Sequence, residues 1–143
     1  MLGSRSPSRR VSIAGVHAAA GRIAPRFGLR LIVAFGSQIR SAAADPQDLD
    51  LAVVGSTPID TIALTNAFIR ALGFQNVDLV DLRRADPLLL ALVAREGVPL
   101  YEAESGVFAE FCSLAIRRYH DTAKFRAAER DVVRSAVGLD GPE

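Results

Sequence analysis

The feature that most constrains this chain is a continuous apolar run that ends in a glycine-serine turn. Residues 31–35 (Leu-Ile-Val-Ala-Phe) contain no polar member, which is typical of a strand that is covered on both faces of a sheet. Gly36 can bring its backbone close to a phosphate group, and Ser37 adds a hydroxyl and an exposed N–H. Together they predict a buried strand that leads into an anion-binding loop.

Two carboxylates follow at the start of a second apolar segment, residues 48–54. Asp48 and Asp50 are two residues apart, so on a strand their side chains leave the same face. Two carboxylates beside a turn that can hold phosphate oxygens describe a site for magnesium and a nucleoside triphosphate. Arg40 would lie about one turn into a short helix predicted to begin at Ser37; it either contacts the triphosphate or is an ordinary surface arginine.

A third strand is predicted over residues 77–82, and it carries two further carboxylates. Asp78 and Asp81 are three residues apart, so a regular strand directs them to opposite faces. If Asp78 faces Asp48 and Asp50, Asp81 cannot do so. We therefore include Asp78 in the candidate site and leave Asp81 out.

The order of these motifs resembles the nucleotidyltransferase superfamily of the DNA polymerase beta type. The pattern is Gly-Ser, ten residues, Asp-x-Asp-Leu, and a third Asp on a later strand, and the resemblance covers roughly residues 12–121. The short length is similar to the minimal nucleotidyltransferases, many of which are antitoxins paired with HEPN-domain toxins. Two positions depart from the family pattern, Ser41 in place of a glycine and Gln47 in place of a serine, but neither removes a metal ligand.

The resemblance implies an α/β (α+β) fold, with a mixed sheet of about four strands flanked by helices. It also implies that Asp48, Asp50 and Asp78 hold two Mg²⁺ ions, and that Gly36, Ser37 and Arg40 bind the nucleotide. Asp78 would in addition help to deprotonate the attacking hydroxyl.

For function, the resemblance implies transfer of AMP from ATP to a tyrosine of a cognate HEPN toxin. A single long helix after the sheet leaves no acceptor domain, which favours a protein acceptor. Two alternatives stay open: a binding module that neutralises a toxin without turnover, and a small-molecule nucleotidyltransferase completed by a partner subunit. The acceptor's identity, the base preference and the oligomeric state are open as well.

Apolar spacing and capping residues predict four helices around these strands. The first follows Ser12 and ends at Pro25 and Gly28. The second has Thr57 as N-cap and Pro58 as its first residue, an inner stripe of Ile59, Ile62, Ile69 and Leu72, and its end at Gly73. The third begins at Asp86 and Pro87, ends at Gly97, and leads into an edge strand over residues 98–101. The last runs from about Ser105 into the 130s.

Composition indicates one domain of residues 12–136, between a flexible basic tail (1–11) and a short C-terminal tail (137–143). A transit peptide is the alternative interpretation of that basic start. The net charge of +1 gives no general attraction to nucleic acid or membranes, and no apolar run reaches the ~20 residues that span a bilayer. We therefore expect a cytoplasmic protein. The lone Cys112 excludes an internal disulfide. Arginines on one face of the last helix suggest a partner surface.

Overall fold

The computed structural model describes residues 11–36 and 47–123 of the chain. Four α-helices and four β-strands lie in this part, together with one 3-10 turn at Leu82–Arg84. In chain order they are α1 (Ile13–Arg26), β1 (Leu29–Phe35), β2 (Leu49–Gly55), α2 (Thr61–Leu72), β3 (Val77–Asp81), α3 (Pro87–Glu96), β4 (Val98–Glu102) and α4 (Val107–Asp121). The strand ends differ from the predicted ones by one or two residues.

The four strands form one mixed sheet in the order β3-β2-β1-β4. β1 pairs with β2 and with β4 in antiparallel orientation, whereas β2 and β3 are parallel. The predicted mixed sheet of about four strands is therefore confirmed. β4 lies at an edge of the sheet, where a proline such as Pro99 is tolerated more readily than in a central strand.

Helices cover both faces of the sheet. One core cluster joins α1 and α2 to a face that includes Ile32, Leu51 and Val53. The other joins α3 and α4 to the opposite face, which includes Leu31 and Val33. Because β1 contributes to both clusters, its apolar run has no polar position, as the sequence predicted.

Short polar side chains begin the helices as expected at two of the predicted positions. Ser12 Oγ accepts a hydrogen bond from the Gly15 N–H at 3.0 Å, and Asp86 Oδ1 accepts one from the Leu89 N–H at 2.9 Å. Each bond satisfies an N–H that the first helical turn leaves unpaired. The predicted end of α2 at Gly73 is also confirmed.

The predicted start of α2 is wrong. Asp60, not Thr57, is the N-cap, and its Oδ1 accepts a hydrogen bond from the Ala63 N–H at 3.1 Å. Ile59, just before the cap, belongs with Leu64 to the α1/α2 core cluster. Apolar residues at these two positions on either side of a helix start are the arrangement that fixes where a chain enters the helix, and α2 begins three residues later than Pro58.

The inner stripe of α2 was predicted correctly only in part, because Ile59 and Leu72 pack against the core whereas Ile62 does not. Ile62 is 75% exposed, and the buried positions are Leu64, Ala67 and Phe68. They have the i, i+3, i+4 spacing of a helix face that packs on a core. The segment carries large apolar residues on two faces, and only the packing against α1 decides which of them is buried.

Between α3 and α4, Cys112 is half-buried, and its thiol donates to the Ala94 carbonyl at 3.7 Å. Burial raises the pKa of this thiol, which keeps it protonated and weakly nucleophilic.

Several predictions fall outside the described residues: the two tails, the short helix from Ser37, and the course of the last helix beyond residue 123. The predicted domain boundaries stay predictions. No helix of residues 11–36 and 47–123 is both long and apolar enough to cross a membrane.

Candidate active site

Three neighbouring strands bring a glycine turn and two carboxylates to the same end of the sheet. Gly36 directly follows β1, whose last residue, Phe35, pairs with Asp50 of β2. Asp50 pairs in turn with Asp78 of β3. Asp48 lies one residue before β2 begins. The end of β1 and the starts of β2 and β3 are therefore adjacent.

Asp50 and Asp78 also lie on one face of the sheet. Side chains alternate along a strand, so Asp50 shares a face with Ala52, and Asp78 shares one with Val80. Ala52 and Val80 both belong to the core cluster under α3 and α4. Paired residues of parallel strands point to the same side, so the two carboxylates are neighbours on the α3/α4 face.

The glycine turn is in direct contact with one of these carboxylates. Gly36 has φ +101°, a conformation that side-chain-bearing residues rarely adopt. A Cβ at this position would lie 2.7 Å from Asp50 Oδ2, closer than real Cβ contacts allow. The carboxylate of Asp50 therefore occupies space that only glycine leaves open.

The electrostatics of Asp50 reflect this crowding. Burial raises the pKa of the Asp50 carboxyl, and the negative charges of Asp78 and then Asp48 raise it further. Asp78 and Asp48 are thus each close enough to Asp50 to repel its negative charge. A bound cation would instead lower the pKa values of these carboxyl groups and favour their ionised forms.

The donor chemistry of this set fits a hard cation, because magnesium is bound through carboxylate oxygens and water. Within residues 11–36 and 47–123, no three His, Cys, Asp or Glu side chains are already arranged as a metal cluster. The assignment of Asp48, Asp50 and Asp78 as metal ligands stays a prediction. The predicted nucleotide contacts Ser37 and Arg40 lie outside the described residues.

One further side chain shapes the surroundings of the carboxylates. Asn76, just before β3, donates from Nδ2 to the Gln47 carbonyl at 3.3 Å, and its own carbonyl accepts from the Leu49 N–H at 2.9 Å. It therefore holds the backbone on both sides of Asp48. No local sequence pattern indicates this role, since the contact joins residues 29 apart.

Asp81 has a local role at the other end of β3. Its Oδ1 accepts a hydrogen bond from the Arg83 N–H at 3.0 Å, which caps the 3-10 turn.

Comparison with known proteins adds the family context. The sequence model of the family described as Polymerase beta, Nucleotidyltransferase matches residues 23–105. That segment contains Gly36 and the carboxylates of Asp48, Asp50 and Asp78. No curated protein matches the sequence.

Solved structures with the same fold include several toxin–antitoxin complexes. A chain of a toxin–antitoxin structure with AMP-PNP is 28% identical, with a TM-score of 0.67, over 82% of this chain and 98% of that chain. A chain from a complex of tri-AMPylated Shewanella oneidensis HEPN toxin with MNT antitoxin is 29% identical, with a TM-score of 0.64, over 82% and 96%. A chain of the MntA–HepT toxin–antitoxin structure is 28% identical, with a TM-score of 0.63, over 82% and 97%.

Proposed function

Because the chain belongs to the polymerase beta nucleotidyltransferase family, we propose that it transfers AMP from ATP to a tyrosine of a HEPN-domain toxin and acts as that toxin's antitoxin. The observation that carries the proposal is the meeting of Gly36, Asp50 and Asp78 at one end of three adjacent strands. The similarity to structures with AMP-PNP and with an AMPylated HEPN toxin supports the choice of nucleotide and acceptor.

The chain's own residues divide the work between binding and proton transfer. The backbone of Gly36, which carries no side chain, would approach triphosphate oxygens at the end of β1, beside the Asp50 carboxylate. Asp48, Asp50 and Asp78 would hold magnesium, which when bound neutralises triphosphate charge and acts as a Lewis acid. Asp78 is exposed on the edge strand β3, so an acceptor hydroxyl can approach it from outside the sheet.

In the proposed reaction, the tyrosine oxygen attacks the α-phosphorus in line with the leaving group. A bond forms between that oxygen and the α-phosphorus, the bond from the α-phosphorus to the bridging oxygen breaks, and pyrophosphate leaves. A phenol has a pKa of about 10 and is a weak nucleophile until it loses its proton. Asp78 is the residue that we assign to accept this proton.

The test uses a purified HEPN-domain toxin as the candidate acceptor, incubated with ATP, magnesium and the purified chain. Intact-mass measurement should show gains in steps of one adenylyl group. The Asp48→Asn/Asp50→Asn variant should produce none. Asp60→Asn/Asp86→Asn is the matched control: it makes the same chemical change at two helix N-caps, where Asn serves as well as Asp, and it should keep wild-type transfer.

A second comparison separates chemistry from binding. Asp78→Ala should lower transfer by roughly 10²–10⁴-fold, the usual contribution of a general base, while changing ATP affinity much less. Asp81→Ala, on the opposite face of the same strand, should have little effect on transfer. If the HEPN protein is bound and inhibited without a mass change, and Asp48→Asn/Asp50→Asn/Asp78→Asn inhibits equally well, the chain is a binding module and the proposal is wrong.

A further inference from the structure

A groove of about 580 Å³ lies beside α4, at the end of the sheet away from the candidate active site. Val54, near the end of β2, lines it, whereas Asp50 lies near the start of the same strand. Four residues at about 3.3 Å each separate them by roughly 13 Å. Both side chains lie on the α3/α4 face, so one partner protein could contact the groove and the carboxylates together.

The floor of the groove is apolar and its rim is basic. Leu31, Leu90 and Phe111 form part of the floor and are at most 9% exposed. Leu114, 38% exposed, adds an accessible apolar side chain at the edge. Because these side chains offer no hydrogen-bonding groups, the floor does not favour a purely polar ligand.

Within residues 11–36 and 47–123, four arginines line the same groove, together with a single acidic side chain, Glu110. Arg117 and Arg118 come from α4, and Arg30 and Arg83 come from β1 and the 3-10 turn after β3. None of the four forms an ion pair within the described part of the chain. The basic face of the last helix, noted in the sequence, therefore continues onto the sheet.

The apolar floor and the basic rim together favour one class of anionic partner over another. Single-stranded nucleic acid binds basic grooves through aromatic side chains on which bases stack. Among the described residues that line this groove, Phe111 is the only aromatic one, and it is 9% exposed, so it offers little surface for base stacking. A protein segment with acidic residues around one or two aliphatic side chains matches both the rim and the floor.

We propose that this groove docks an acidic, leucine- or isoleucine-bearing segment of the protein that accepts AMP. The groove holds the acceptor, and its tyrosine reaches the carboxylates at the other end of the same face. The identity of the partner rests on the proposed function; the existence of an acidic docking segment rests on the groove itself.

The test reverses charge in the groove with Arg117→Glu/Arg118→Glu. The matched control is Arg22→Glu/Arg70→Glu, which makes the same change in net charge at exposed positions of α1 and α2. Those helices pack on the other face of the sheet. In AMP transfer to the HEPN-domain acceptor protein, the groove variant should raise the KM for that protein by about tenfold or more. The kcat at saturation and the KM for ATP should stay at wild-type values, and the control should change none of the three.

A binding measurement makes the test independent of catalysis. We expect the Kd between the HEPN protein and the Asp48→Asn/Asp50→Asn chain to rise with salt, and adding the groove reversal should weaken binding and reduce that salt dependence. If transfer is absent but the groove reversal still weakens binding, the proposed function fails and the docking site stands. If transfer proceeds and neither KM nor Kd changes, the docking site fails and the proposed function stands. An equal loss in the Arg22→Glu/Arg70→Glu control, or binding of a labelled oligonucleotide that the groove reversal abolishes, would also overturn the docking proposal.

Discussion

Replacing Gly36 by alanine should damage both the fold and the site, for two separable reasons. The first is backbone strain, because φ +101° lies outside the conformations that residues with a side chain adopt readily. A residue held in such a region costs about 1–3 kcal/mol. For a chain of this size that corresponds to a fall in Tm of roughly 3–10 °C.

The second reason is the contact with Asp50. The added Cβ would lie 2.7 Å from Asp50 Oδ2, whereas ordinary van der Waals contact begins at 3.4 Å. The carboxylate oxygen must therefore move by about 0.7 Å, the difference between these distances. Displacements of about 1 Å among catalytic groups can lower a rate by roughly 10²-fold. We expect Gly36→Ala to lower AMP transfer by about tenfold to a hundredfold.

Two other glycines separate these causes. Gly28 has φ +63° but nothing within 4 Å of an added Cβ, so Gly28→Ala introduces strain without a contact. Gly21 is an exposed α1 position with an ordinary φ and open space around it, so Gly21→Ala should be neutral or stabilise by about 0.5–1 kcal/mol. Thermal unfolding should show losses for Gly36→Ala and Gly28→Ala, whereas initial transfer rates should fall for Gly36→Ala alone.

Two outcomes would refute this reasoning. Wild-type transfer by Gly36→Ala would mean that the position of the Asp50 carboxylate does not depend on the turn. An equal loss of rate in Gly28→Ala would attribute the effect to general destabilisation. Adding Gly36→Ala to an Asp50→Ala background gives a further check, because without the carboxylate only the strain should remain, and the loss of stability should be smaller.

Two more predictions concern stability. The pKa of Asp50 is raised mainly by burial, so Asp50 binds its proton more tightly in the folded chain than in the unfolded chain, and its ionisation destabilises the fold as pH rises from about 4 through the folded pKa. In metal-free buffer, the stability of Asp50→Asn relative to the wild type should therefore increase across that pH range. A difference in unfolding free energy between the two proteins that stays constant from pH 3 to pH 7 would contradict this. Asp60→Ala should cost about 0.5–2 kcal/mol in denaturant unfolding through loss of the α2 N-cap, whereas Thr57→Ala should cost much less, and the reverse order would restore the cap that the sequence predicted.

Local patterns were enough to predict the strands and the proximity of the Asp48 and Asp50 carboxylates. The apolar run of β1 and the two-residue spacing of Asp48 and Asp50 depend only on neighbouring residues, as do the caps at Ser12 and Asp86. These predictions agree with the structure because a buried strand or a helix end is specified by residues within a few positions of one another.

What could not be predicted depends on contacts between distant segments. Ile62 and Phe68 are both large and apolar, and α1 decides which of them is buried. Arg30 and Arg83 are 53 positions apart in the numbering, so no local pattern shows that they line the groove beside α4. The hydrogen bond between Asn76 and Gln47 likewise joins residues that are distant in the sequence, so no local pattern predicts it.

The mixed direction of the strands explains why the candidate site forms at all. β1 and β2 are antiparallel, so the end of β1 meets the start of β2 and places Gly36 beside Asp50. If β3 were also antiparallel to β2, the start of β3 would lie at the far end of the sheet, and Asp78 would be several residues away from Asp50. The α2 crossover instead returns the chain so that β3 starts beside the start of β2. The packing of α2 through Phe68 therefore does more than bury apolar surface, because it brings the third carboxylate to the other two.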